Sequence, residues 1–501
     1  MMTKTAIKIS SRILLFAALL VVMNYVYQFF FFENDLQKYS EVINLVRAVP
    51  DDADIIYIGE SSNITFRAND IDKRPISGFV GEYFPELIVA DITKPASHAG
   101  IYKVLLSNLP ESDARRTIVV TLNLRSFNAQ WVYSKLETAL QKSMILLQDY
   151  PPLYNRFVLS FKIYDIKSDK EREEQFRTQW VQDTLRFPNE VSFYTVPDWD
   201  AQVRNNGVKN PDSSRNEELT TLACHYIKAY AFQIDTVGSP RTRDINDIIE
   251  LAEQRGWNLI FNLLAENTEK AQELVGDDLL FLMEQNRILL IDYLQKRGIK
   301  VVDNLYAIES EQFIDQNWTT EHYAEKGRKI IAANVAGQLQ QFYSEEFSNI
   351  DIVNRIQTSF FNDCEGKLIW GQMGTLSDEQ AFSGKYASKT GKGDEYGLTF
   401  EYPFTAIPDS MKNTLKIDFK VFQYSAQHDA KLVIQAQGKN MQEYWNGILL
   451  TEQIQGVEKW EDFQYMLQIP DNIKQAELIK VYVFNPSNEI IYIDDFEVVF
   501  E

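Results

Sequence analysis

Residues 55–63 read Ile55-Ile56-Tyr57-Ile58-Gly59-Glu60-Ser61-Ser62-Asn63. An unbroken apolar run stopped by Gly is the pattern of a short strand buried on both faces. The Ser that follows stands just past the carboxyl end of that strand, where open parallel sheets bind their ligands. Opening a helix there, it adds its own amide to the N-terminal donors that can hold an oxyanion. Ser is also an ordinary N-cap residue, so the chemical reading depends on the rest of the chain.

Working outward, four more short apolar runs follow: Leu87–Ala90, Thr117–Leu122, Leu259–Leu264 and Ile299–Val302. Helical patterns fall between them, notably Asp277–Arg297 with Gly298 as its stop signal. Strands separated by helices predict an α/β domain with a parallel sheet. A long stretch at about 129–245 interrupts the alternation and reads as a mostly helical insertion beside the sheet, since connections in compact domains are normally far shorter. From Phe360 the helical period gives way to alternating segments (396–402, 414–424, 431–437, 461–469, 479–485 and 490–500), which predict a β-sandwich. The domains expected are therefore 1–33 (cytoplasmic tip and transmembrane anchor), 34–345 (α/β, with the insertion) and 358–501 (β-sandwich).

The anchor is read from Ile13–Phe32, an uncharged apolar run of the ~20 residues that cross a ~30 Å hydrocarbon core. Lys4, Lys8 and Arg12 precede it, and Glu33 and Asp35 follow. The basic side stays cytoplasmic, which places the body in the periplasm or outside the cell. A cleaved signal is the rival, but its apolar region would be shorter and end in small residues rather than four Phe. The 501 residues carry 50 Lys+Arg against 71 Asp+Glu, a net charge of −21. That balance argues against a nucleic-acid partner and against docking on anionic lipid. Cys224 and Cys364 are too few for a disulfide framework or a Cys-rich zinc site. There is no His-x-x-x-His spacing and no Gly-rich phosphate loop.

Imidazole chemistry must draw on His98, His225, His322 and His428. His322, in Asp315-Gln-Asn-Trp-Thr319-Thr-Glu321-His322-Tyr323, precedes an amphipathic helix expected to pack on the sheet after the last strand. A Ser after the first strand and a His before the last helix can meet at one sheet edge, with His as general base. His98 is read as a pocket neighbour or a helix cap, His225 as packed, and His428 as solvated.

On these residues the chain resembles the SGNH/GDSL hydrolase superfamily over roughly 53–342. Gly59-Glu60-Ser61 is similar to its Gly-Asp-Ser block, with Glu for Asp. His322 with Tyr323, Gly327 and Ile330-Ile331-Ala332 is similar to its closing His block. Ser97-His98-Ala99-Gly100 falls where the block carrying the oxyanion Gly belongs. The resemblance implies a flavodoxin-like three-layer domain with Ser61 as nucleophile, His322 as base, and an oxyanion pocket built from Gly100 with Asn123 or Arg125. The block after the third strand departs from the family, reading Asn123-Leu124-Arg125-Ser126. So does Thr319, where the family carries the Asp that backs the His. Glu321 or Asp315 is the substitute, or the pair works as a dyad.

Residues 358–501 resemble a jelly-roll carbohydrate-binding module. By that resemblance Glu365 and Asp495 share a structural calcium, and Trp370, Tyr444 and Trp445 stack on sugar rings. Catalysis itself implies no cofactor. The whole is similar to membrane-anchored polysaccharide O-acetyltransferases, which implies acyl transfer to, or hydrolysis from, cell-envelope or exopolysaccharide sugars and a membrane-bound O-acyltransferase partner. A non-catalytic glycan-binding or scaffold protein and a lipid or small-ester hydrolase are the alternatives.

Overall fold

The computed structural model describes residues 4–68, 70–111, 116–165, 168–174, 185–354, 358–365, 370–439 and 441–501. The insertion's residues 166–167 and 175–184 therefore lie outside the described residues. The chain forms two compact units, Met1–Arg67 with Pro75–Ile350, and Ala68–Arg74 with Asp351–Glu501.

The first unit is built on five parallel strands: β1 (Ile55–Gly59), β2 (Val89–Thr93), β3 (Thr117–Leu122), β4 (Asn258–Leu263) and β5 (Lys300–Asp303). Their order is β2-β1-β3-β4-β5, so the winding reverses between β1 and β3. That is the topological switch point where such sheets form their ligand crevice. The central strands β1 and β3 are buried throughout, as their unbroken apolar runs require. The second strand lies two residues later than its apolar run suggests, because β2 is an edge strand with mostly half-exposed side chains.

Strand alternation divides the core into two layers. Ile56, Ile58, Ile118 and Val120 face the cluster containing Ile101 and Leu105 of α4 (Ala99–Ser107) and Ile245 and Ile248 of α7 (Pro240–Gln254). On the other side α3 (Ile76–Glu82) packs against α9 (Glu325–Leu339). Helix α8 (Asp277–Gln295) ends at the predicted Gly298, whose φ of 75° suits Gly.

The insertion between β3 and β4 is mainly helical and includes α5 (Pro152–Ser160) and α6 (Glu217–Tyr230). At the N-terminus, α1 (Lys4–Phe30) leads into α2 (Phe32–Tyr39). Its Lys8–Phe30 portion is long and apolar enough to cross a membrane, with mean hydropathy 2.0.

The second unit is a two-sheet antiparallel β-structure. Its strands are β6 (Ser359–Asn362), β7 (Leu376–Ser377), β8 (Ala387–Thr390), β9 (Tyr396–Pro403), β10 (Thr414–Gln423), β11 (Lys431–Gln437), β12 (Tyr444–Leu449), β13 (Trp460–Gln468), β14 (Leu478–Phe484) and β15 (Ile491–Phe500). One sheet runs β13-β10-β15-β8-β7 with β6 also on β15; the other runs β9-β14-β11-β12. Alternate residues such as Ile417, Phe419, Ile434, Val481 and Val498 form the core between them.

Candidate functional site

The turn after β1 is fixed from below. Asn63, fully buried, accepts the Ser77 amide at Oδ1 (2.9 Å) and donates from Nδ2 to Thr93 Oγ1 (2.8 Å) at the end of β2. Ser61 thereby opens a 3-10 turn, Ser61–Asn63, with its side chain half-exposed. The second segment is a strap, 313–323, closed on itself by the Ile314 amide donating to the His322 carbonyl (2.8 Å). The Tyr323 hydroxyl ties the strap to the end of β4 through the Ala265 carbonyl (2.8 Å). Arg328 of α9, with no exposed surface, clamps the two segments. Its Nη1 donates to the Thr65 carbonyl (3.2 Å) and the Tyr323 carbonyl (2.9 Å). Arg67 adds a bond to the Phe313 carbonyl (2.8 Å).

These supports bring three side chains into line. Ser61 Oγ is 2.9 Å from His322 Nε2, and His322 Nδ1 is 2.7 Å from Asp315 Oδ2. The Thr320 hydroxyl also donates to Asp315. Hydroxyl, imidazole and carboxylate thus stand in series, an arrangement in which the imidazole can take the hydroxyl proton while the carboxylate fixes the ring. Asp315 rather than Glu321 backs the imidazole: Glu321, buried, instead takes Arg125 Nη2 at 2.5 Å. Arg125 also lies over the Trp131 ring, 4.9 Å from its centroid.

The oxyanion expectations at Gly100 and Arg125 need correction. The Gly100 amide donates to His98 Nδ1 (3.1 Å), so it is engaged and not free for a substrate oxygen. His98 is itself a buried N-cap of α4 rather than a pocket wall, and its Nε2 meets Glu137 (2.7 Å). Burial lowers the His98 pKa, while Glu137 is held at about 2 despite its own burial by His98 and Arg241. Arg125 is committed to Glu321. Asn123 caps the turn after β3, accepting the Ser126 amide at Oδ1 (2.8 Å).

Beneath the triad lies an acidic group that the sequence reading missed. Glu60, Glu266 and Glu321 are all buried, and Arg125 is the guanidinium they share. One cation cannot neutralise three carboxylates, so protons must. Burial first, and Glu321 second, push Glu60 up to about 7 and Glu266 well above the carboxylate range. The Tyr230 hydroxyl donates to Glu266 (2.5 Å). Glu60 Oε2 is 3.1 Å from Ser61 Oγ. The single hydroxyl proton of Ser61 thus has two acceptors, Glu60 and His322.

The other histidines are structural. His225 packs on Trp318, ring centroids 4.2 Å apart. His428 is buried, not solvated; its Nε2 is 2.6 Å from Gln423 Oε1 and its Nδ1 accepts the Ala430 amide. Both cysteines are free and buried.

In the β unit the three aromatic residues separate. Trp370 packs edge-on against Phe400 and Phe496 (5.2 and 5.6 Å), and Tyr444 lies against the same core. Trp445, 51% exposed, lies on the opposite face, with Lys431 Nζ 6.0 Å from its ring. On that outer face Tyr396 neighbours Phe484 (5.1 Å) and Tyr482 (5.8 Å). Glu365 and Asp495 both reach the loop 382–386. Glu365 Oε1 accepts the Lys385 and Tyr386 amides (2.5 and 2.8 Å), and Asp495 Oδ1 accepts the Ser383 hydroxyl (2.7 Å). Asp494, fully buried, accepts the Phe382 and Ser383 amides. Among the described residues no group of three or more His, Cys, Asp or Glu is arranged to hold a metal.

No protein-family model matches the sequence, and no curated protein matches it. Among solved structures, the chain is similar to the CBM22-1 xylan-binding domain from Paenibacillus barcinonensis Xyn10C, with 15% identity over 25% of this chain and 78% of that one and a TM-score of 0.20. It is also similar to a family 16 carbohydrate binding module-2, with 15% identity over 25% and 83% of the two chains and a TM-score of 0.19. A xylan-binding domain from CBM 22 matches at 14% identity over 28% and 93%, with a TM-score of 0.21.

Proposed function

We propose that this is a membrane-anchored, extracytoplasmic enzyme of the SGNH type, with the flavodoxin-like fold of that superfamily, that transfers or hydrolyses acyl groups on cell-envelope or exopolysaccharide sugars. The observation that carries the reading is the Ser61–His322–Asp315 alignment at the switch point of the sheet. In the reaction Ser61 Oγ attacks the acyl carbonyl as His322 Nε2 takes its proton, and Asp315 stabilises the imidazolium. The tetrahedral oxyanion is held by the Ser61 amide and the Asn123 side-chain amide. Collapse expels the departing alkoxide, which takes the proton from His322 and leaves an acyl-Ser61 ester. A sugar hydroxyl or a water then attacks that ester, deprotonated by His322, and restores free Ser61.

The acyl donor for a transferase would come from a membrane-bound O-acyltransferase partner. The calcium expected at Glu365 and Asp495 does not fit the described residues: both acids accept from the 382–386 loop, and no third His, Cys, Asp or Glu joins them in a group arranged to hold a metal. A purely glycan-binding protein is the second reading, favoured by the exposed Trp445 face; it predicts sugar retention without turnover. A lipid or small-ester hydrolase would use the same triad without a sugar acceptor.

The test measures acetate release from an acetylated oligosaccharide, with and without an unacetylated acceptor, for wild type, Ser61→Ala and His322→Ala. Turnover lost in both variants supports the enzyme, and acetyl appearing on the acceptor supports transfer. Sugar retention with no turnover in the wild type supports the binding protein.

A further inference from the structure

Helix α5 turns an aromatic row outward. Tyr154, Phe157 and Phe161, at spacings i, i+3 and i+7, are exposed, as are Tyr150 before them and Ile163 after them. Asn155 and Leu159 face inward and are buried. A helix against water carries polar residues on its outer side. The charged residue within α5, Arg156, is turned back onto Asp35 (2.6 Å) and lies over the Tyr39 ring (4.9 Å).

The position of this row along the anchor is informative. Asn24 Oδ1 of α1 accepts the Leu153 amide (2.9 Å), so α5 begins beside Asn24. Arg12 is the last basic residue before the apolar run. From Arg12 to Asn24 a helix rises only ~18 Å at ~1.5 Å per residue, against a hydrocarbon core of ~30 Å. Spanning it requires the part of α1 beyond Asn24, and that is the part alongside α5. Phe29, Phe30 and Phe31 there are exposed too.

We propose that the outer face of α5, together with Phe29–Phe31, is a lipid-contacting surface seated at the boundary between acyl chains and headgroups of the outer leaflet. The proposal rests on reading α1 as a membrane anchor. Aromatic rings are suited to that depth. Two exposed charges flank the row, Asp149 before Tyr150 and Lys162 between Phe161 and Ile163. They reach the headgroup layer while the rings take the apolar side, and on a zwitterionic membrane the net charge of −21 does not oppose that burial. The α/β unit is then held in a fixed attitude to the bilayer rather than swinging on its anchor.

The test places single nitroxide labels on the full chain in phosphatidylcholine vesicles, at Tyr154→Cys, Phe157→Cys and Phe161→Cys. The native thiols are buried. Leu19→Cys reports on the anchor, and Val237→Cys, at an 86% exposed residue, reports on water. Collision with oxygen and with a water-soluble nickel chelate is then compared. The expected result is an oxygen-to-nickel ratio at 154, 157 and 161 several-fold above that at 237 and close to that at 19. Labels on α5 that follow 237 while 19 follows lipid overturn the proposal and leave the anchor standing. Labels screened from both reagents show a protein covering the face and overturn it as well. A water-like ratio at 19 removes the anchor reading and the proposal together.

Discussion

Ser61 Oγ lies 2.9 Å from His322 Nε2, across 261 positions of sequence. The contact exists because a turn pinned to β2 by Asn63 and a strap pinned to β4 by Tyr323 are both gripped by one buried guanidinium, Arg328. Loss of that grip should loosen the pair. Arg328→Met is expected to lower stability by ~1–3 kcal/mol, the cost of leaving buried carbonyls without donors, and to lower kcat more than KM. Thermal melts and steady-state kinetics check it. A variant with unchanged kcat shows that the two segments hold their register without the clamp.

Asp315 and Glu321 should separate in their effects. Asp315→Asn removes the carboxylate that meets His322 Nδ1 and would stabilise the imidazolium formed during reaction, and kcat should fall by ~10²–10⁴ with little change in stability. Glu321→Gln removes the carboxylate that Arg125 bonds, but Glu60 and Glu266, relieved of its repulsion, can then ionise beside the guanidinium, so the cost should fall on folding and stay at ~1–3 kcal/mol. The reverse pattern would make Glu321 the third member.

Glu60 predicts a pH-dependent stability. Its carboxyl is raised from 4.5 to about 7 by burial and then by Glu321. Between those values the folded chain holds a proton that the unfolded chain releases. The contribution of neutral Glu60 is therefore complete below the unfolded value and is lost as pH rises through the folded one. Glu60→Gln, which cannot ionise, should gain little Tm over wild type at pH 5 and clearly more at pH 8. Ionised Glu60 also competes with His322 for the Ser61 proton, so Glu60→Gln should retain more of its turnover at alkaline pH. Equal Tm differences at both pH values would contradict this.

In the β unit, Trp445→Ala should abolish glycan retention without moving Tm. Trp370→Ala should cost ~2–4 kcal/mol through lost packing. Affinity electrophoresis and thermal melts read the two effects. Loss of retention with a wild-type Tm in Trp370→Ala would mean that the core residue, not the exposed one, meets the sugar.

Much of this was legible in the sequence because it lies in local pattern. The run Ile55–Ile58, short, rich in β-branched residues and stopped by Gly59, reads as a buried strand, and the Ser after it and the His before the last helix follow from chain order. What was not legible depends on direction and partnership. Glu321 adjoins His322 in sequence, but successive side chains of an extended strap point to opposite sides. The closure at Ile314 brings Asp315, seven residues away, to the imidazole instead. Tyr444 and Trp445 differ for the same reason: one faces the core and its neighbour faces outward. Gly100 fits an oxyanion role by position, and only the fold shows its amide spent on His98. Nothing in the local sequence marks Glu60 and Glu266 as buried, and only the folded sheet encloses them.

The central claim is that Ser61 is a nucleophile activated by His322. Intact-protein mass after exposure to a fluorophosphonate measures it directly. The account predicts one covalent adduct on the wild type, located at Ser61 by peptide mapping, with none on Ser61→Ala and strongly slowed formation on His322→Ala. A wild-type chain that stays unlabelled, or a Ser61→Ala chain that labels as fast as the wild type, would contradict it.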